Sequence, residues 1–419
     1  MAESKRLRLG LLGAGRRAQA HLTTIAGLAD RYEFVAVYDL AEGNAHAVAA
    51  PFGIKAYSDI NEFFSRERLD VVDIVTPSEC HHLMAKVAAD HGVHMLIETP
   101  LAPTRAMMNF IAEVADKAGV RVEVAENAWR QPLQRLNRKA MDAGLIGGLL
   151  RVSNFYEIGG YHAMAALRYC AGAEVDEVRG IAHRFEVERS VETPDVPGMT
   201  SDTESWTQAL LFFANGAIGS YVQISTWTSP LRRGHPRFIT VEGTRGLIAS
   251  GRSGVNALYR LENGVQAAYP LKIDTRQEGE RKIPTRFYYE TSPRVEYANP
   301  FADLPLKYAD NWYRLGDDIA RADELTSIHR AVVNKESPEY GIANARRDQE
   351  LCIAIMESTR LDGQSVRLPL SGETVWEREQ HETFRATWGG DPLKDADQLI
   401  TRNFLRTGLR RQRAYDFVV

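Results

Sequence analysis

An apolar run, a glycine turn and a helix-compatible segment follow one another at the start of this chain, and that order restricts what it can fold into. Residues 6–21 read RLRLGLLGAGRRAQAH. Leu7, Leu9, Leu11 and Leu12 form an apolar run of strand length, Gly13-Ala14-Gly15-Arg16-Arg17-Ala18 forms the turn, and the helical pattern runs on to Leu28. A buried strand, a glycine turn and a helix start make the first unit of a dinucleotide-binding βαβ fold. Gly13 permits the tight turn, Gly15 lets backbone approach a pyrophosphate, and Ala18, where a third glycine often stands, keeps helix and strand close. The helix N-terminus then offers free N–H groups and its positive dipole end to phosphates.

The next segments extend the pattern. Glu33-Phe-Val-Ala-Val-Tyr-Asp39 reads as a second strand ending in an acid, 26 positions after Gly13. A carboxylate there accepts hydrogen bonds from the adenosine ribose hydroxyls and repels a 2′-phosphate, which favours NAD over NADP. Arg16 and Arg17 run against that preference, because arginine accommodates a 2′-phosphate. Strands are expected at 70–75, 93–97 and 120–124, with helices at 79–91 and 106–118. Strands alternating with helices imply a doubly wound parallel sheet, an α/β architecture whose ligands sit at the carboxyl ends of the strands. Those ends carry Gly13, Asp39, Thr76-Pro77, Glu98-Thr99-Pro100 and Asn127.

Taken together, Gly13-Ala14-Gly15 with His21, Asp39, Thr76-Pro77-x-x-x-His81 and Glu98-x-Pro100-Leu-Ala resemble the glucose–fructose oxidoreductase and inositol dehydrogenase (Gfo/Idh/MocA) family. The resemblance continues to about residue 370. It implies a Rossmann domain over 1–127 and an α/β domain over 128–370 built on a large, mostly antiparallel sheet, with 371–419 as a C-terminal extension. It also implies NAD(P)-linked chemistry on sugars, cyclitols or related polyols. The cofactor set it points to is Gly13, Ala14, Gly15, Arg16, Arg17, Asp39, Thr76, Pro77, His81, Glu98, Thr99 and Asn127. One departure stands out. The family usually reads Glu-Lys-Pro where this chain has Glu98-Thr99-Pro100, and that lysine normally reaches the reacting group. The Thr99 hydroxyl is a poor base near pH 7, although it can donate a hydrogen bond.

Past the first domain, Asn127-Ala-Trp129-Arg130 follows the last expected parallel strand, which makes Trp129 and Arg130 candidates for substrate contact. Arg130 suits a carboxylate or hydroxyls, or equally a domain-bridging salt link. A strand at 149–156 precedes Glu157-Ile-Gly159-Gly160-Tyr161-His162 and a helix ending near Gly172. The family places a histidine ten residues before such a glycine, so His162 is the leading general acid/base, a group that titrates near neutrality and can take the proton of an alcohol. Tyr161 is a candidate donor to substrate. The aspartate that the family often has four residues before this histidine is Ile158 here, with Glu157 one place off.

Further strands are expected at 175–187, 205–213, 218–227, 237–243 and 258–261, joined by Asn215-Gly216 and Asn263-Gly264 hairpin turns. The open face of such a sheet suits a homodimer or homotetramer. Residues 190–203 and 274–305 read as loops, the second carrying Phe287, Tyr288, Tyr289, Tyr297 and Phe301, which either stack on a sugar or pin the loop. Helices are expected at 307–333 and 341–360. The arginines at 402, 406, 410, 411 and 413 read as a solvated or subunit-contact helix face.

Composition narrows the classes. A net charge of −4 gives no reason to expect nucleic acid or an anionic membrane as partner. Cys80, Cys170 and Cys352 are too scattered for a disulfide framework or a zinc site, no metal constellation is present, and neither a signal peptide nor a membrane-spanning run is visible. The expectation is a cytoplasmic NAD-dependent oxidoreductase acting on a sugar, cyclitol or polyol. The alternatives are a redox-neutral NAD-dependent glycosidase, lyase or epimerase, to which the loss of lysine at Thr99 points, and a non-catalytic NAD or sugar-binding protein.

Overall fold

Leu7, Leu9, Leu11 and Leu12 are fully buried, so the first strand is solvated on neither face, as a parallel sheet covered on both sides requires. A computed structural model describes residues 5–191, 200–224, 234–252, 256–306, 312–400 and 402. Its first sheet is formed by β1 (Leu7–Leu12), β2 (Tyr32–Tyr38), β3 (Lys55–Tyr57), β4 (Val71–Ile74), β5 (His94–Ile97) and β6 (Val122–Val124), in the order β3-β2-β1-β4-β5-β6. All its pairings are parallel. The intervening helices are α1 (Ala18–Gly27), α2 (Glu42–Ala49), α3 (Ile60–Arg66), α4 (His81–Asp90) and α5 (Arg105–Ala118). Strand order reverses between β1 and β4, the topological switch point at which such sheets bind ligands.

The second sheet has nine strands, in the order β14-β13-β12-β11-β7-β10-β9-β8-β18. They are β7 (Leu149–Phe155), β8 (Val175–Val191), β9 (Thr200–Phe213), β10 (Ile218–Ile224), β11 (Phe238–Gly243), β12 (Gly246–Ser250), β13 (Ala257–Glu262), β14 (Val265–Pro270) and β18 (Val366–Arg367). Only β7 and β10 pair in parallel, so the sheet is mixed and mostly antiparallel. Over residues 178–183 of β8 and 206–213 of β9 the burial alternates. Val178, Gly180, Ala182, Ala209 and Leu211 face inward, whereas Arg179, Ile181, His183, Gln208 and Leu210 lie on the open face. The remaining α-helices among the described residues are α6 (Pro132–Asp142), α7 (Gly160–Ala171), α8 (Trp312–Val333), α9 (Ile342–Arg360), α10 (Val375–Trp388) and α11 (Ala396–Leu399).

The polar stretch after Asp274 is not a loop. It forms a three-stranded antiparallel sheet of β15 (Lys272–Glu278), β16 (Arg281–Tyr289) and β17 (Val295–Ala298). Ile283, Pro284, Phe287, Tyr289 and Val295 are its buried residues, and the charged residues between them made the segment look irregular in sequence. Phe287, Tyr289 and Phe301 are packing residues, and the Tyr289 hydroxyl donates to Asn137 Oδ1 at 2.9 Å. Tyr288 lies under the Arg294 guanidinium, 3.9 Å from the ring centroid. Likewise, residues 190–191 and 200–203 belong to β8 and β9 rather than to a loop, and 192–199 lie outside the described residues. Residues 307–311, 225–227 and the arginines at 406, 410, 411 and 413 also lie outside them.

By its contacts the chain divides into two units, and neither is contiguous. The first joins residues 5–127 to 300–349 and 377–402, and the second joins 128–299 to 350–376. In the first unit α8 packs on α1, β5 and β6. There the Tyr32 hydroxyl donates to Leu325 O at 2.6 Å, and Ser327 Oγ donates to Glu123 Oε2 at 2.5 Å. The segment beyond residue 376, expected only as a C-terminal extension, is docked on α4 and α5. Glu377 forms a buried ion pair with Arg105 at 2.6 Å and accepts the Arg105 backbone N–H at 2.8 Å. His381 Nε2 meets Thr104 Oγ1 at 2.8 Å. The His82 ring donates to Pro392 O at 2.8 Å, and burial pushes it down to about 4, so it is neutral at pH 7.

Candidate active site

The carboxyl edge of the parallel sheet is built around the first glycine turn. Gly13 has φ +103°, and a Cβ there would lie 3.0 Å from Val75 O, so only glycine brings the turn this close to β4. A Cβ on Gly15 would meet nothing within 4 Å, which leaves open space beside the backbone at the start of α1. Ala18 is fully buried against Leu11, Val37 and Val75, the close helix–sheet packing for which the small residue is needed.

Asp39 ends β2 and caps this turn. Its Oδ2 accepts the Ala14 N–H at 2.7 Å and its Oδ1 accepts the Ala41 N–H at 2.8 Å. Each carboxylate oxygen keeps acceptor capacity for a further donor. Thr76, at the end of β4, has a buried hydroxyl without a hydrogen-bond partner. An orphaned hydroxyl, a capped acid and open space beside Gly15 together fit a dinucleotide.

On the other side of β1 the edge is dominated by charge. His21, on α1, is completely buried. Its Nδ1 lies 2.8 Å from Asp73 Oδ2 and its Nε2 lies 3.0 Å from Glu98 Oε1. Burial alone would lower the imidazole, but Asp73 and Glu98 outweigh it and raise His21 to about 9. The ring is therefore a cation at pH 7 that donates to both acids. Glu98 also receives the Arg17 guanidinium. Although burial opposes ionisation, Arg17 and His21 hold Glu98 well below the usual carboxylate range. The remaining Glu98 oxygen, Oε2, accepts the Thr99 backbone N–H at 2.7 Å and the Thr99 hydroxyl at 3.2 Å.

His81 lies behind this edge, with Nε2 2.9 Å from Thr76 O and Nδ1 3.1 Å from Pro100 O. Buried between those carbonyls it ties the β4 and β5 ends together, and burial lowers its pKa. Pro77 precedes the short turn of helix at Ser78–Cys80. The Asn127 amide donates to Asp317 Oδ1 on α8 at 3.3 Å. Arg16 is exposed at the turn.

The other sequence candidates lie in the second unit. Trp129 and Arg130 are both buried, with the Arg130 guanidinium 4.7 Å from the indole centroid and Arg135 at 4.4 Å. Tyr161 and His162 open α7. Tyr161 is buried, whereas His162 is half-buried and meets the Tyr161 ring edge-to-face at 5.9 Å. Glu157 is buried, and its Oε2 accepts the Arg252 N–H at 3.2 Å. Burial raises its pKa against the pull of Arg252 and Arg237. Among the described residues no group of three His, Cys, Asp or Glu is placed to hold a metal ion, and no helix is long and apolar enough to cross a membrane.

Residues 7–126 match the family model described as an oxidoreductase family with an NAD-binding Rossmann fold. The chain is 30% identical over 329 residues to inositol 2-dehydrogenase of Salmonella typhimurium, a match covering 75% of this chain and 88% of that protein. The chain belongs to the Gfo/Idh/MocA oxidoreductase family. Within it, the chain is also 33% identical over 145 residues to D-apiose dehydrogenase of Paraburkholderia graminis, which covers 34% of this chain and only 38% of that relative. The crystal structure of an NAD binding oxidoreductase from Klebsiella pneumoniae superposes with a TM-score of 0.66 at 21% identity, covering 88% of this chain and 100% of the other. As a Gfo/Idh/MocA protein, the chain has its cofactor edge in an NAD-binding Rossmann domain.

Sequence reasoning named His21 only as part of a motif and missed its two acids as partners. A signal was present, because Asp73 interrupts the buried run Val71-Val72-Asp73-Ile74, and a buried acid demands a partner. The pairing of Arg17 with Glu98, 81 residues apart, had no such signal.

Proposed function

We propose that this protein is an NAD-dependent oxidoreductase that moves a hydride between the nicotinamide and a carbon of a sugar, cyclitol or related polyol. The observation that carries the cofactor choice is the Asp39 carboxylate at the end of β2, held by the Ala14 and Ala41 amides. It suits the two ribose hydroxyls of NAD and disfavours a 2′-phosphate. Bound NAD supplies the hydride acceptor. Gly13, Ala14 and Gly15 would cradle its pyrophosphate, Asp39 its ribose, and Thr76, Pro77, Glu98, Thr99 and Asn127 would line the reactive side, with His81 holding the β4 and β5 ends from behind. His162 is the proposed acid/base that takes the hydroxyl proton as the hydride leaves the same carbon, with Tyr161, Trp129 and Arg130 as proposed substrate contacts. The relatives named for inositol and D-apiose support the substrate class.

The experiment is a titration with NAD and NADP, followed by a panel of polyols, cyclitols and aldoses assayed for reduced cofactor. Tighter binding of NAD with turnover on a member of the panel is expected. NADP bound more tightly than NAD, or silence across the panel with NAD bound, refutes the proposal.

A second reading, a redox-neutral lyase, glycosidase or epimerase, is favoured by Thr99. Its hydroxyl donates to Glu98 and supplies no base. In that case NAD stays bound and is regenerated each cycle, and solvent deuterium enters beside the transiently oxidised carbon. Unlabelled product excludes it.

We also propose a homo-oligomer formed through the open face of the nine-stranded sheet, where Ile181, Phe185, Leu210 and Ile218 are 53%, 45%, 39% and 40% exposed. Exposed apolar residues clustered on one face mark association surfaces. Light scattering tests this, with Ile181→Lys expected to shift the assembly towards monomer. The buried thiols of Cys80, Cys170 and Cys352 suit a reducing compartment such as the cytoplasm.

A further inference from the structure

The glycine turn carries two arginines, yet the strand order separates what they can serve. Asp39 ends β2, on one side of β1, while Glu98 ends β5, two strands away on the other side. Arg17 stands at the N-terminus of α1 and directs its guanidinium to Glu98, away from the strand that carries the ribose acid. Glu98 is then a hub. One oxygen takes Arg17 and His21, and the other takes both the N–H and the hydroxyl of Thr99. The charged and titratable groups around it are Arg17 and His21 from α1, Asp73 from β4 and His81 from α4, with Glu324 and Asp317 of α8 acting on Arg17. Position 99 itself carries no charge.

We infer that Arg17 is a positioning residue of the β4–β5 side of the cofactor edge: through Glu98 it fixes Thr99, and it leaves the adenosine ribose to Asp39. The inference rests on the proposed binding of NAD at this edge. It assigns the turn's second arginine a task unrelated to a 2′-phosphate. A guanidinium stays charged at any working pH, so Arg17 anchors and polarises but does not exchange a proton. With the Thr99 hydroxyl proton committed to Glu98, Thr99 Oγ1 presents acceptor lone pairs to whatever lies beside it.

Calorimetric titration of the full chain and its Arg17→Gln, Arg17→Lys and Asp39→Ser variants with NAD and NADP, at pH 6 and pH 8, tests this. Arg17→Gln is expected to weaken both dinucleotides by a similar factor, leaving their ratio within about twofold of wild type. The weakening is expected to be greater at pH 6 than at pH 8, because the Glu98 carboxyl loses the largest of the charges that hold it down. Arg17→Lys is expected to remove most of this pH dependence by restoring the charge, while Asp39→Ser shifts the ratio by about tenfold, or 1.4 kcal/mol. A tenfold change of ratio in Arg17→Gln overturns the inference, as does wild-type binding by that variant at both pH values. If the unmodified chain binds neither dinucleotide, the cofactor reading itself falls, a result seen before any variant is examined.

Discussion

Replacing His21 by leucine perturbs the most tightly specified charge in the first unit. The substitution keeps an apolar body of similar size in a site with no solvent exposure, but it removes the donor 2.8 Å from Asp73 and 3.0 Å from Glu98. Breaking a buried ion pair by deleting one partner costs about 3–5 kcal/mol. The rise of the imidazole from 6.5 to about 9 independently corresponds to about 3 kcal/mol in favour of the charged ring in the folded state. For a unit of this size that predicts a fall in Tm of about 10 °C. The pH dependence has a definite sign. Because the folded-state value is raised, the histidine's contribution is fully present below the ordinary value of 6.5 and is lost as pH rises through about 9. Differential scanning fluorimetry of wild type and His21→Leu from pH 6 to pH 9.5 should therefore show a gap that is widest at pH 6 and narrows steadily. A gap under about 1 kcal/mol at pH 6, or one that widens towards pH 9, refutes a protonated His21 between two carboxylates.

Other outcomes follow from the same geometry. Gly13→Ala forces a side chain into φ +103° with its Cβ 3.0 Å from Val75 O; a stability loss of about 1–3 kcal/mol and loss of NAD binding are expected, measured by thermal melts and calorimetry. Glu377→Ala removes the carboxylate paired with the buried Arg105 and should lower unfolding free energy by about 3–5 kcal/mol in a denaturant titration, with NAD affinity at 25 °C retained by the folded fraction. His162→Ala should reduce turnover about 10²–10⁴-fold while NAD affinity stays within about twofold of wild type, separating proton transfer from cofactor binding.

Five of the six strands of the parallel sheet were legible because they are short apolar runs bounded by glycine, proline and acid, and because the glycine turn and Asp39 stand at a spacing that a dinucleotide explains; β3, only three residues long and starting with a lysine, was missed. The observed bounds of β1, β2, β5 and α5 lie within one or two residues of those expected. What sequence could not show was where long side chains point. Arg17 read as a possible 2′-phosphate ligand, and only the placement of β5 reveals Glu98 as its partner. The sheet of β15–β17 was missed because its buried residues fall on β16 and at Val295 of β17, while β15 buries none and carries Lys272, Asp274, Arg276 and Glu278. Polarity there reports a solvated face, not the lack of a strand. Past residue 370 the sequence offered only an extension, because the acid that holds residues 375–388 down, Glu377, is itself buried and its partner lies 272 residues away.

That last contact has a consequence for how the molecule is made. Arg105 and Glu377 are 272 residues apart, and at about 5–20 residues per second a ribosome needs about 15–55 s to travel between them. Throughout that interval the dinucleotide-binding domain is on the ribosome with the α4–α5 surface bare, including Arg105, Thr104 and His82, all of which are buried in the finished protein. The α4–α5 surface is thus covered only once Glu377 has been made, and a nascent chain stalled between the two positions exposes a cation that is buried in the finished protein.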